Sequence, residues 1–175
     1  MCVAESFAPE EIQRRMNVSC AKLVFTCDFL LRHGKRVDVY ARIADRLHQP
    51  IVVASAAPGN LKPRDKDRLF QDFLDDAAFE TVICNPDDAT TILFSSGTTG
   101  DAKAIIWDHT NPIKCAADGF LYQDLQTSDV VAWPTSMGWM MGPWLIYATL
   151  VNGAAMGIIW FTTPAGKILG WTALR

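Results

Sequence analysis

Thr91-Ile92-Leu93-Phe94-Ser95-Ser96-Gly97-Thr98-Thr99-Gly100-Asp101-Ala102-Lys103 is the most informative stretch of this chain. An apolar, β-prone run reads as a buried strand and then breaks into turn chemistry. From Ser95 to Lys103 the loop holds four hydroxyls, two glycines and one lysine. Glycine lets the backbone approach an anion with no Cβ in the way, and its N–H groups can point inward. Hydroxyls donate to phosphate oxygens, and lysine neutralises charge on a leaving pyrophosphate. The composition suggests nucleotide phosphate binding; a plain surface turn is the alternative that turn chemistry alone allows. The loop is not a P-loop. That pattern needs four residues between its glycines and a Gly-Lys-Ser/Thr end, whereas Gly97 and Gly100 are three apart and Ala104 follows Lys103.

After the loop, Ala104 to Trp107 reads as a short extended piece. Thr110-Asn111-Pro112 offers a cap and a first-turn proline for a helix reaching about Leu121. Val130 to Pro134 predicts a strand, Pro143 to Val151 a helix, and Ala155 to Phe161 a final strand. Upstream, Pro9 to Met16 opens with proline and two acids, a helix start. Ala21 to Thr26 and Ile51 to Ala54 read as strands, the second closed by the turn Pro58-Gly59-Asn60. Val39, Ile43 and Leu47, four apart, make one apolar stripe on a helix over Asp38 to Leu47. Leu69, Phe70, Phe73 and Leu74 do the same for a helix over Arg64 to Ala78, with Arg64 to Arg68 as its solvated charge run. Strands alternating with helices predict an α/β fold, a partial and mostly parallel sheet with helices on both faces.

At 175 residues, the chain fits one ordinary domain. Half the residues are hydrophobic, a folded rather than disordered balance. A net charge of −3 and a pI near 5.5 provide no basic stripe, so nucleic acid is not expected as a partner. Cys2, Cys20, Cys27, Cys84 and Cys115 form no C-x-x-C pair and lack histidines at metal-ligand spacing, so reduced thiols inside the cell are expected and no metal site is assigned. From Val130 to Gly166 there is no charged residue. That length could cross a bilayer, but Gly142-Pro143 and Asn152-Gly153 punctuate it, so a helix, a turn and a buried strand are expected and no membrane span.

The stretch from Phe94 to Ala104 resembles the phosphate-loop signature of the AMP-forming adenylating enzymes, aromatic-Thr/Ser-Ser-Gly-Ser/Thr-Thr-Gly-x-Pro-Lys-Gly/Ala. Asp129 to Ala148, with Asn152-Gly153-Ala154 after it, is similar to the segment that follows that loop in acetyl-CoA-synthetase-like members. Phe7-Ala8-Pro9-Glu10-Glu11-Ile12 and Ala21-Lys22-Leu23-Val24-Phe25-Thr26 resemble the plant acyl-activating enzymes assigned to peroxisomes. The similarity covers about Val3 to Ile159. It implies part of the large N-terminal AMP-binding domain of an acyl-CoA synthetase.

In that family a carboxylate attacks the α-phosphate of ATP, giving acyl-adenylate and pyrophosphate, and CoA then displaces AMP as a thioester. By resemblance, Ser95, Ser96, Gly97, Thr98, Thr99, Gly100 and Lys103 would wrap the β- and γ-phosphates, with Thr98, Thr99 and Lys103 the main contacts. Trp139, Met140 and Met141 would border the acyl pocket; plain core packing is their duller reading. ATP, Mg²⁺ accompanying it, CoA and a small carboxylic acid are the implied cofactors and partners. No catalytic residue is assigned, and His109 reads as a satisfied residue beside a helix cap. Ala102 stands where the family has proline, which costs about 0.4–1 kcal/mol of loop preorganisation if the native φ suits proline.

Nothing in the chain matches the later family motifs, Tyr-Gly-x-Thr-Glu and Thr-Gly-Asp. The expected organisation is a partial AMP-binding domain over 1–161 and a divergent tail over 162–175. An inactive remnant, binding phosphate weakly and self-associating through exposed sheet edges, is the alternative to a working ligase. A soluble cytoplasmic chain is expected, against a peroxisomal family.

Overall fold

The computed structural model describes residues 1–32, 34–55, 58–95, 102–161 and 168–174. The chain divides into two compact units, Glu5–Val82 and Met1–Ala4 with Ile83–Arg175.

In the Glu5–Val82 unit, α1 (Pro9–Val18) carries proline in its first turn, with Glu10 and Glu11 beside it, where acids favour the positive helix end. Strand β1 (Val24–Cys27) pairs parallel with β4 (Ile51–Ala54), and β4 pairs parallel with β5 (Arg68–Leu69). Helix α2 (Val39–Ala44) lays Tyr40, Ile43 and Ala44 on Ile51 and Val53, with Leu47, Ile12 and Val24 closing the core. Alternation along β4 sends Ile51 and Val53 to that core while Val52 faces the other side. A hairpin of β2 (Leu30–Arg32) and β3 (Lys35–Val37) precedes α2, with Gly34 at φ +74° in its turn.

One expected helix is overturned here. Arg64 to Ala78 is not one amphipathic helix: β5 takes Arg68 and Leu69 into the sheet, and α3 (Phe70–Phe73) is a single turn. Nor is Arg64 to Arg68 a solvated face. Asp67 is buried, with its carboxylate accepting from the Ile51 N–H at 2.8 Å and from Tyr40 Oη at 2.8 Å. Tertiary hydrogen bonding and strand pairing override the local helical pattern.

The second unit is built on β6 (Ala89–Phe94), β7 (Ala104–Asp108), α4 (Thr110–Gln123), β8 (Val130–Ala132), α5 (Met141–Leu150), β9 (Ala155–Phe161) and β10 (Ile168–Leu174). Strands β8 and β9 pair parallel, whereas β6–β7 and β9–β10 are antiparallel. Among the described residues three of the six strand pairings are parallel. The antiparallel ones join strands separated by short connections, and a parallel crossover needs a dozen residues or more. The chain is thus an α/β protein with parallel sheets and packed helices, and β10 adds a strand beyond the last one expected.

Helices α4 and α5 pack along Cys115, Leu125 and Ala148, all buried. At Gly119 an added Cβ would lie 3.1 Å from Ala148 Cβ and 3.3 Å from the Ala148 carbonyl oxygen, so the two helices approach closely there. Asn152 Nδ2 donates to the Ala116 and Ala148 carbonyls, and Gly153 at φ +72° turns the chain into β9. The uncharged run therefore holds a helix, a turn and a strand, and no helix among the described residues is long and apolar enough to cross a membrane.

Candidate functional site

The strand ahead of the Gly/Thr stretch and the piece after it form one hairpin. Register pairs Thr91 with Trp107, Ile92 with Ile106, Leu93 with Ile105 and Phe94 with Ala104. The ladder continues one step further, because the Ser95 N–H donates to the Lys103 carbonyl at 3.1 Å. The structure thus brings Ser95 and Lys103 together across the mouth of the loop. Ser96, Gly97, Thr98, Thr99 and Gly100 lie outside the described residues.

Strand parity puts Thr91, Leu93 and Ser95 on one face of the hairpin, and residues directly opposite share that face, so Trp107, Ile105 and Lys103 join them. That face meets α5. Thr91 Oγ1 and Tyr147 Oη lie 3.1 Å apart, and the Trp107 and Tyr147 rings are 6.4 Å apart. Leu93 is buried between, while Lys103 is exposed at the loop's end.

Beyond β7, the expected cap from Thr110 is corrected. Thr110 is the first helical residue and His109 the N-cap, without a side-chain cap bond. Asp108 just before it accepts on Oδ1 from the Thr110 N–H at 2.8 Å and from Thr110 Oγ1 at 2.6 Å, while Asn111 Oδ1 accepts the Asp108 N–H at 2.8 Å. The Thr110 hydroxyl and amide hold the Asp108 carboxyl below the usual carboxylate range. A carboxylate beside the first helical amides also suits the helix dipole. His109 is exposed, its N–H donating to the Pro86 carbonyl at 3.0 Å.

Trp139, Met140 and Met141 sit at the turn that opens α5. The Gly142 N–H donates to the Trp139 carbonyl at 2.9 Å and the Trp144 N–H to the Met140 carbonyl at 3.1 Å. Two glycines make this corner tight: a Cβ at Gly138 would meet Ala4 N at 2.4 Å, and one at Gly142 would meet Met137 Cα at 2.6 Å. Trp139 and Met140 are exposed and Met141 is half-buried, so core packing does not account for the first two. Trp144 instead takes the packed position, its ring 6.1 Å from that of Trp133 in an edge-on contact. Sequence reasoning gave no role to Tyr147 or Thr91, because β6 carries a second hydroxyl at Thr90 and α5 another at Thr149, and nothing in sequence singles out this pair.

The family model for AMP-binding enzymes matches residues 1–170. Among curated proteins, the chain is 46% identical over 165 residues to "Probable acyl-activating enzyme 17, peroxisomal" of Arabidopsis thaliana, covering 89% of this chain and 23% of that protein. It is 42% identical over 165 residues to "Hexanoyl-CoA synthase" of Cannabis sativa, again covering 89% of this chain and 23% of the relative. Among solved structures, acetoacetyl-CoA synthetase from Streptomyces lividans superposes with a TM-score of 0.72 at 25% identity, over 86% of this chain and 24% of that one. The chain spans about a quarter of the length of these relatives. It belongs to the family of AMP-binding enzymes.

Proposed function

We propose that this chain is the phosphate-binding part of an acyl-CoA synthetase, an enzyme that activates a carboxylic acid with ATP and passes it to CoA. The observation that carries the reading is the Ser95–Lys103 closure, an N–H···O bond of 3.1 Å that sets a hydroxyl and an ammonium at the mouth of one Gly/Thr loop. Antiparallel register brings the two strand ends that flank the loop side by side, with Phe94 opposite Ala104.

In this reading the backbone amides and the hydroxyls of Ser95, Ser96, Thr98 and Thr99 donate to the β- and γ-phosphates, with Gly97 and Gly100 allowing close approach. Lys103 neutralises charge as the carboxylate oxygen bonds to the α-phosphorus and pyrophosphate leaves. Mg²⁺ arriving with ATP supplies further charge neutralisation on the phosphates. Trp139, Met140 and Met141 border the acid. The exposed Trp139 and Met140 support that role, since large apolar side chains left in the open suit an apolar acyl chain. The names of the Arabidopsis and Cannabis relatives support a peroxisomal acyl-activating enzyme and an acyl-CoA product respectively.

A second reading is a remnant without ligase activity that binds phosphate and self-associates. It is favoured by large apolar side chains left open in both units, among them Phe25, Ile106, Phe120 and Leu121. Acid-dependent exchange of labelled pyrophosphate into ATP, run on the purified chain with short and medium carboxylic acids, separates the two. Acid-dependent exchange above the acid-free rate overturns the remnant reading and supports the ligase.

A further inference from the structure

A two-stranded hairpin is marginal by itself and needs a third element to hold it. Among the described residues β6 and β7 pair only with each other, so their seating depends on what covers one face. Tyr147 of α5 is the residue that reaches both strands. Its hydroxyl lies 3.1 Å from Thr91 Oγ1 on β6, and its ring lies 6.4 Å from that of Trp107 on β7, at an interplanar angle of 38°. Thr91 and Trp107 are register partners, so one side chain touches both ends of one rung of the ladder. That rung shares its face with Ser95 and Lys103, four residues further along each strand.

We propose that Tyr147 is a positioning residue that clamps the β6–β7 hairpin and so sets the Ser95–Lys103 closure at the root of the loop. Its consequence for nucleotide rests on the phosphate-binding reading above; the clamp itself does not. The ring contact supplies apolar packing, which a phenylalanine would keep. The hydroxyl pair supplies direction, because a hydrogen bond weakens steeply when misaligned. The hydroxyl also finds in Thr91 the partner that a half-buried tyrosine calls for.

Amide hydrogen exchange on the full chain tests the clamp without any ligand. Tyr147→Phe keeps the ring and loses the hydroxyl; Thr91→Val loses the other hydroxyl at the same shape; Thr91→Ser keeps it. The Ser95 amide should exchange roughly threefold to tenfold faster in the first two, the loss expected for one net hydrogen bond. It should stay at the wild-type rate in Thr91→Ser. The Leu125 amide, bonded to the Gly119 carbonyl at 3.1 Å in the α4 cap, is the reference and should not change. An unaltered Ser95 rate, or equal acceleration at Leu125, would overturn the clamp. Should Tyr147→Phe fail to fold, Thr91→Val decides alone. Calorimetric titration with inorganic tripolyphosphate forms the second arm, where affinity should fall in parallel with Ser95 protection. A wild-type chain that binds no tripolyphosphate removes the phosphate reading, and the exchange rates still decide the clamp.

Discussion

Asp67 takes the Arg64 guanidinium on both carboxylate oxygens, with Nε at 2.6 Å from Oδ2 and Nη2 at 2.9 Å from Oδ1. The fork also reaches the Leu47 and Gln49 carbonyls at 2.9 and 3.3 Å, and the Ala44 carbonyl besides. Those carbonyls lie at and beyond the C-terminal end of α2, where a cation is favoured. The pair therefore ties the helix end to the start of β4, since the same carboxylate accepts the Ile51 N–H.

Removing one partner should be costly. Arg64→Ala leaves a buried carboxylate with no cation, for which a loss of about 3 kcal/mol is the low end. Urea denaturation followed by the midpoint checks it, and a change below about 1 kcal/mol would contradict the account.

The same pair gives a pH dependence with a definite sign. Burial alone would push the Asp67 carboxyl up, but hydrogen bonds from Arg64, Tyr40 and the Ile51 amide outweigh it and hold the carboxyl below the usual carboxylate range. A depressed folded-state pKa contributes stability that is present above the unfolded value and lost as pH falls through the folded one. Stability should hold at neutral pH and drop below the ordinary aspartate range. The drop should be smaller in Asp67→Asn, as a pH series of melting curves would record.

At the corner before α5, Gly138→Ala should destabilise by roughly 1–3 kcal/mol, the usual cost of forcing atoms into a filled space. The obstacle is backbone, at Ala4 N and Val3 C, and cannot swing aside as a side chain would. Melting temperature is the readout. Gly59→Ala, where nothing lies within 4 Å, is the matched control and should move it far less.

Cys115 should be slow to alkylate. It is buried between α4 and α5, and burial, then the Asp118 charge, pushes its thiol up, so less thiolate forms at neutral pH. Cys2 and Cys20 are exposed and should react first. Mass spectrometry of a thiol-reagent time course would order them; early labelling of Cys115 would contradict the packing.

Much of the fold was legible because its elements carry their own punctuation. Pro9 with two acids, the Val39–Ile43–Leu47 stripe and Asn152-Gly153 each name an element or a turn from neighbours in sequence. The strand Ile51–Ala54 was equally plain as a short apolar run. What was not legible depends on partners far along the chain. Leu69, Phe70, Phe73 and Leu74 have a helical period, yet β4 offers Arg68 and Leu69 open ladder positions and Asp67 is needed at Ile51. No local pattern reports either demand.

The site divides the same way. Residue types at the loop point to phosphate chemistry, and the resemblance carried by Phe94 to Ala104 agrees with the family the chain belongs to. The antiparallel closing of the loop was not drawn from sequence, although the short link between Phe94 and Ala104 contains it. Thr91 and Tyr147 stand 56 positions apart. A hydroxyl on an apolar strand and another on an apolar helix become a pair only when the packing is known.

The most direct test is calorimetric titration of the chain with ATP and Mg²⁺, repeated on Lys103→Met. Saturable binding by the wild-type chain is expected, weakened at least tenfold in Lys103→Met by the loss of the one loop cation, the scale of a single charge-assisted contact. Equal binding by both chains, or none by the wild type at millimolar ATP, would contradict it.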